Sequence, residues 1–342
     1  MRGKKTLLAR MISVSGMVGP VALLRSLLRK EIVILAYHRV LDSWNEETFE
    51  FDPDLISASA SEFRWQMSYI RQHYTPVTFR QVLDHLDGVF SLPSRPIIVT
   101  FDDGFDDNYL HAYPILRALN VPATIFVSTG YIGQSRTFWF DWLFFLCNKA
   151  ASSGIPVRMG SSHFHLSADI GVRRIEIARI LSHVKRLPDA ELRSELEKLE
   201  QQLGLELPAT GFPQSRPLSW AQVREMGAHG IEFGSHTVTH PILANLTQNR
   251  LSDELTESKV HLEREIERAV EVIAYPVGGK FAFNSAVVDA VRNAGYRIAT
   301  SYIPGINGLQ NLELFSLRRL RVERYTTRDD FKGMLVLPEL LS

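Results

Sequence analysis

A chain of 342 residues is long enough to bury a large core, as one big α/β domain or as two smaller ones. Its 45% hydrophobic and 22% charged content is ordinary for a globular protein, and 38 basic residues balance 38 acidic ones, so bulk charge gives no support to a nucleic-acid or polyanion partner. The single cysteine, Cys147, excludes an internal disulfide framework and a cysteine-rich metal site, and is compatible with a reducing compartment.

The chain opens on Met1-Arg2-Gly3-Lys4-Lys5 and then runs apolar to Leu24. Arg10 interrupts that run and Arg25, Arg29 and Lys30 close it. The 14 residues between Arg10 and Arg25 fall short of the roughly 20 that span a bilayer. Residues 1–30 are therefore expected to form a basic amphipathic helical segment, broken near Gly16, Gly19 and Pro20, that rests on its own domain or on a membrane surface. The matching location is the cytoplasm or the inner face of a membrane, with export as the alternative.

Seven short runs rich in β-branched residues follow: 32–37, 97–101, 123–127, 231–234, 272–275, 297–301 and 315–322. Helical patterns lie between several of them, at 59–73, 108–119, 220–229, 251–269 and 285–294, with Gly230 and Gly295 as C-terminal stops. Such alternation implies a parallel sheet with helices outside it. If that sheet closes into a barrel, its chemistry sits at the C-terminal strand ends.

The stretch from Gly130 to Pro217 breaks this alternation and shows no convincing strand. An aromatic run, Phe138 to Phe145, is followed by two long helical patterns. One covers roughly 172–185; the other, after Pro188, carries Leu192, Leu196, Leu199 and Leu203 on one stripe. This reads as a helical insertion, a cap beside the site.

The chemistry-bearing residues lie at strand ends. Ile97 to Phe101 is a short buried run that ends in Asp102-Asp103-Gly104. Two carboxylates held together at the rim of a core ionise unequally or meet a cation. A second signal, Gly234-Ser235-His236-Thr237-Val238-Thr239-His240-Pro241, places two histidines four apart. Three β-branched residues between them and a proline after them favour a strand end turning into a loop over a helix. A sheet that converged both signals would offer two nitrogens and one oxygen to a divalent metal with open positions. Helix capping or turn solvation is the bland reading of the acids.

Thr100-Phe101-Asp102-Asp103-Gly104 and Ser235-His236-Thr237-Val238-Thr239-His240 together resemble the first two motifs of the polysaccharide deacetylases, the NodB-homology group of carbohydrate esterase family 4. The resemblance runs from about Ile32 to Val322, interrupted by the insertion. It implies a distorted (β/α)7 barrel, NodB-like, with Asp103, His236 and His240 as metal ligands and Asp102 as general base. The ion implied is Zn²⁺, with Co²⁺, Ni²⁺ or Fe²⁺ as alternatives.

Two departures from the family pattern matter. In Ala274-Tyr275-Pro276-Val277-Gly278-Gly279 the arginine of the third motif is absent at Ala274, while Val277 keeps a backbone N–H that can serve as oxyanion donor. Arg319 on the last strand can replace the missing guanidinium, or form a barrel-edge salt bridge instead. The late histidine acid of the family is also missing. His38, at the end of the first strand, is the candidate in its place, against a histidine satisfied by backbone carbonyls. Trp139, Trp142, Asp141 and Tyr275 are expected to touch substrate, although an aromatic run of this kind more often builds a core. Asp106, Asp107 and Asn108 are read as caps of the helix that begins near Tyr109.

The expected organisation is an N-terminal segment (1–30), a barrel from 31–129 and 218–325, the insertion (130–217) and a C-terminal tail (326–342). The function implied is metal-dependent removal of acetyl groups from N-acetylated sugars of a polysaccharide or lipid-linked glycan. The alternatives are an esterase or amidase of the same fold acting on a non-glycan acyl group, and a non-catalytic glycan-binding protein.

Overall fold

The computed structural model describes residues 29–338 and, ahead of them, Arg25. The helical segment expected over 1–30 therefore lies almost wholly outside the described residues. Arg25 itself donates from Nε to Glu31 at 2.8 Å. No helix among the described residues is long and apolar enough to cross a membrane.

Seven parallel strands close a barrel in chain order: β1 (Glu31–Tyr37), β2 (Pro96–Phe101), β3 (Ala123–Val127), β4 (Ile231–Ser235), β5 (Val272–Ala274), β6 (Ile298–Pro304) and β7 (Leu317–Arg321). Tyr37 pairs with Phe101 between β1 and β2, and Val127 with Ser235 between β3 and β4. Leu35 pairs with Leu320 across the closing seam. The barrel is distorted where expected of a short strand: β4 and β5 share the single pairing Ser235 with Ile273, and the β6–β7 register shifts. All seven strands fall on the apolar runs of the sequence. A parallel strand is covered on both faces, so it reads as an unbroken apolar stretch rather than an alternating one.

The helices are α1 (Ala60–His73), α2 (Phe79–Leu86), α3 (Tyr113–Leu119), α4 (Trp139–Ser153), α5 (Ile170–Val184), α6 (Asp189–Leu203), α7 (Trp220–Ala228), α8 (Gln248–Ile266), α9 (Ser285–Asn293) and α10 (Arg328–Val336). Odd and even strand positions sort into two cores. Val33, Leu35, Val99, Ile125 and Phe233 face the outer helices, whereas Ile32, Ile34, Ile98, Phe126 and Val272 fill the lumen. Gly234 is one of the lumen positions, and a Cβ there would lie 2.6 Å from the Phe126 ring. Below, α2 plugs the barrel, with Phe79 packed 5.9 Å from Phe126.

This period of two places the chemistry. The inward series Ile98, Thr100 runs on to Asp102; Gly234 runs on to His236; Leu317 runs on to Arg319; and Ile32, Ile34, Ala36 runs on to His38. A lumen closed by aromatics below and lined by polar groups above can hold a reactive cluster only at its C-terminal mouth.

Three regions differ from the expectations. The insertion holds three helices rather than two, because the aromatic run forms α4. Nine of its residues are buried, among them Phe140, Trp142, Phe144 and Phe145, and an all-round apolar helix has no stripe to read. A small hairpin, Val157–Met159 with Ser162–Phe164, lies in the stretch that showed no strand; two three-residue arms around Gly160 are too short for a period to emerge. The C-terminal region is not a bare tail. Thr327 and Asp330 form a capping box that starts α10, and Phe331, Met334 and Leu335 bury one face against the barrel's outer core.

Candidate active site

Asp103 leaves the strand period through a left-handed backbone, with φ +73° followed by +83° at Gly104, and its carboxylate turns into the mouth. There Oδ1 lies 3.5 Å from His236 Nε2 and 3.2 Å from His240 Nε2. Thr237 (φ +69°), His240 (φ +58°) and Val277 (φ +63°) are left-handed too, so four of the seven non-glycine residues in that region, among the described residues, stand at this mouth. Backbone strain of this kind persists where the surroundings over-determine it.

Those surroundings are specific. His236 Nδ1 bonds the Ala274 carbonyl at 2.8 Å; a carbonyl only accepts, so Nδ1 carries a proton and Nε2 is the nitrogen turned to Asp103. The turn between the histidines is tied down by Glu254 of α8, which accepts from Val238 N (2.8 Å), Thr239 N (2.9 Å) and Thr239 Oγ1 (2.6 Å). His240 is held by Trp139, whose Nε1 donates to its carbonyl at 3.1 Å, and by the Phe140 ring at 5.0 Å. The insertion therefore reaches the site through α4.

Three features mark this cluster as fit for a metal ion. One donor atom from each of Asp103, His236 and His240 lies within 4.8 Å of the others, all three residues being buried. Asp103 Oδ1 is buried without a hydrogen-bond partner. A hydrogen bond to the far ring nitrogen of His236 fixes its tautomer, as metal-ligating histidines require. Two nitrogens and one oxygen suit a first-row divalent ion.

Asp102 is held apart from this trio. Arg319, fully buried, grips it in a fork, Nη1 to Oδ1 at 2.7 Å and Nη2 to Oδ2 at 2.8 Å. Arg319 is itself oriented by Ser301 O (2.8 Å) and Thr100 Oγ1 (3.1 Å). Burial is the largest single influence on the Asp102 carboxyl and raises it, but Arg319, His236 and His38 together outweigh it and the net shift is downward, which favours the ionised form. At Asp103 burial is likewise overcome, by the two imidazoles, and the carboxyl sits well below the usual carboxylate range. Of the imidazoles, His240 is lowered by its burial, while the neighbouring carboxylates raise His236 in spite of its own.

Arg319 is fully buried and forked on Asp102, so a barrel-edge salt bridge does not describe it. His38 Nε2 stands 4.0 Å from Asp102 Oδ2, with its ring edge-on to Tyr302 at 5.5 Å. Val277 is the centre of a γ-turn closed by Gly278 N to Pro276 O at 2.7 Å.

The other expected residues separate. Trp139 is half-buried at the site. Trp142 is 4% exposed, stacks on Phe145 at 5.3 Å and donates from Nε1 to Glu200, so it is a core residue rather than a sugar platform. Asp141 is 0% exposed and accepts from Ser215 Oγ, so it cannot reach a substrate hydroxyl. Burial pushes its carboxyl up to about 7. Tyr275 faces outward, stacked on Phe283 at 4.3 Å with its hydroxyl on Phe315 O, behind the site. Asp107 does not cap a helix. It accepts from Arg39 Nε (2.9 Å) and Val40 N (3.0 Å), while Asp106 accepts from Gln222 and Asn108 donates to His38 O. These groups fasten the first strand's exit to the loop after β2.

Sequence reasoning missed Glu254, Tyr302 and Lys185. Glu254 had a signal: an acid on the apolar stripe Leu251, Leu255, Leu262 of α8, where only a tied-down carboxylate belongs. Tyr302 had none, since its ring meets His38 and Arg319 only once the barrel closes. Lys185, at the end of α5, lies within electrostatic reach of Asp52 and Asp103; desolvation lowers its amine, and the two acids pull the other way.

The sequence matches the polysaccharide deacetylase family over residues 91–299. The Bacillus subtilis protein YxkH is 24% identical over 293 residues, 85% of this chain and 71% of that protein. A poly-β-1,6-N-acetyl-D-glucosamine N-deacetylase of Escherichia coli is 32% identical over 92 residues, which are 27% of this chain but 13% of the relative. In fold, the deacetylase PplD of Streptococcus pyogenes superposes with a TM-score of 0.57 at 20% identity, covering 92% of this chain and 99% of that one. A match to the family over most of the barrel, on a fold of the same kind, leads to one conclusion: the chain belongs to the polysaccharide deacetylase family.

Proposed function

We propose that the chain hydrolyses the acetamide of N-acetylated amino sugars in a glycan, with a divalent ion held by Asp103, His236 and His240 and with Asp102 as the base. One observation carries this reading: two adjacent acids are assigned opposite partners, Asp103 to a pair of imidazoles and Asp102 to Arg319. Zn²⁺ suits the donor set, and Co²⁺, Ni²⁺ or Fe²⁺ would fit the same atoms. When bound, such an ion supplies Lewis acidity, which eases ionisation of water and polarises a carbonyl.

The chain's own groups supply the remaining steps. Asp102, kept ionised and aimed by Arg319, accepts the proton of the attacking water. The N–H of Val277, presented by its strained turn, donates to the oxyanion that develops on the acetyl carbonyl. His38 delivers a proton to the departing amine nitrogen as the C–N bond breaks, giving free amine and acetate. The Escherichia coli relative, named for its action on poly-β-1,6-N-acetyl-D-glucosamine, supports an N-acetylglucosamine polymer as the substrate class. PplD, a deacetylase in complex with acetate, supports the leaving acyl group. The non-catalytic alternative drew on the missing third-motif arginine and the missing late histidine; the fork of Arg319 on Asp102 supports the catalytic reading against the first, and the place of His38 beside Asp102 supports it against the second.

The test is acetate release from N-acetylglucosamine oligomers by the Zn²⁺-loaded protein. Acetate in step with free amine, abolished by Asp102→Asn, is the expected result. Turnover of a simple acetyl ester with no acetate from any glycan would favour the esterase reading instead.

A further inference from the structure

His38 is anchored through its backbone. Its N–H donates to Ser57 Oγ at 2.9 Å, and its carbonyl accepts from Asn108 Nδ2 at 2.8 Å. Among the described residues no hydrogen bond reaches either nitrogen of its ring, and Nε2 stands 4.0 Å from Asp102 Oδ2, beyond hydrogen-bond length. What meets the imidazole is the ring of Tyr302, edge-on at 5.5 Å with 73° between the planes. Tyr302 is fixed in turn. From β6 its N–H donates to Gly278 O at 2.7 Å. Gly278 (φ +55°) must lack a side chain, since a Cβ there would lie 2.6 Å from Tyr302 N and 2.8 Å from Tyr302 Cβ. The guanidinium carbons of Arg319 and Arg321 stand 5.5 and 5.4 Å from the centre of the Tyr302 ring.

An imidazole that donates a proton to a leaving group must be aimed and must keep a nitrogen for the substrate. Packing against an aromatic ring orients it without engaging either nitrogen. We infer that Tyr302 is a positioning residue that aims His38 at the departing amine, and that it acts through its ring rather than its hydroxyl. The C–N bond breaks with its electron pair left on nitrogen, which takes the His38 proton and leaves as the neutral amine. The inference rests on the deacetylase reading above. Arg319 does not depend on this ring, because Asp102, Ser301 O and Thr100 Oγ1 already hold its guanidinium.

Tyr302→Leu removes the ring and keeps apolar bulk, whereas Tyr302→Phe keeps the ring and removes the hydroxyl. Two substrates isolate the step: an N-acetylglucosamine oligomer, whose amine must be protonated to leave, and 4-nitrophenyl acetate, whose phenolate leaves without a proton. The measurement is kcat and KM for both on the Zn²⁺-loaded protein, with metal content and circular dichroism as folding controls. Tyr302→Leu should lower kcat on the oligomer by about 10²-fold with KM unchanged, and on the ester by less than about fivefold. Tyr302→Phe should stay within about threefold of the wild type on both. In a His38→Ala background, Tyr302→Leu should cost nothing further on the oligomer. Tyr302→Met carries the same expectations should Tyr302→Leu lose its metal or its fold. An equal loss on both substrates, or no loss on either, would overturn the assignment and leave the deacetylase reading intact. Acetate from neither substrate in the wild type, or from the ester alone, fails that reading and the positioning with it.

Discussion

Two carboxylates stand at opposite ends of the same barrel lumen. At the lower end Glu232 accepts from Phe79 N and Arg80 N, both at 2.9 Å, and from Thr124 Oγ1 at 2.6 Å, so it caps α2 with both of its oxygens engaged. At the mouth Asp103 faces two imidazoles and keeps an oxygen with no hydrogen-bond partner. Desolvation dominates at Glu232 and raises its carboxyl, whereas at Asp103 the imidazoles overcome it. An enclosed acid is therefore not by itself a site. What separates the two is whether the neighbours close the carboxylate off or leave it open to a ligand.

The largest effect should come from the acid that is paired yet poised. Asp102→Asn removes the base while keeping the shape, so acetate release should fall by about 10³-fold with the metal content unchanged. Loss of the ion in that variant would blur the division between the two adjacent acids.

A third carboxylate, Asp141, sharpens the contrast because it is neither closed off nor charge-paired at close range. One oxygen accepts from Ser215 and the other has no partner. Its carboxyl lies at about 7 against an ordinary 3.8, so the folded state holds a proton that the unfolded chain gives up. Stability should therefore fall as the pH rises from about 4 to about 7 and level off above that. Asp141→Asn should remove this slope and stabilise the protein at pH 8 by about 4 kcal/mol at most, as read by urea unfolding at pH 5 and pH 8. A wild type that is more stable at pH 8 than its variant would contradict the assignment.

Glu254→Gln tests the support beneath the histidines. The amide oxygen can keep the bonds from Val238 N and Thr239 N, which share Oε2, but the amide NH2 cannot accept from Thr239 Oγ1 or Arg250 as Oε1 does. Metal affinity should drop by about 10- to 100-fold, measured by competition with a chelating dye. Glu232→Gln is the smallest expected change, a loss of about 1–3 kcal/mol in stability with kcat unaltered. A loss of kcat there would mean that the two ends of the lumen are not independent.

Much of this arrangement is legible in the chain, and most of the exceptions have physical causes. The strands show because both faces of a parallel barrel are covered, and the tandem acids and paired histidines show because they stand at strand ends. The partnership of Arg319 with Asp102 spans 217 residues and exists only once β7 closes on β1, so sequence alone favours a barrel-edge salt bridge over a functional arginine. Helix α2 is absent from the predicted elements although its signals are present: Phe79, Val82, Leu83 and Leu86 recur at i, i+3, i+4 and i+7, and Thr78 and Gln81 form its capping box. Trp142 and Asp141 were misplaced because an all-apolar helix gives no indication of which face meets solvent.

The most direct test is an anomalous-difference map from a crystal grown with Zn²⁺. The account predicts one ion bonded to Asp103, His236 and His240, with Asp102 still forked on Arg319 and not coordinating. An ion that recruits Asp102 and displaces the guanidinium, or no ion at the two imidazoles, would contradict it.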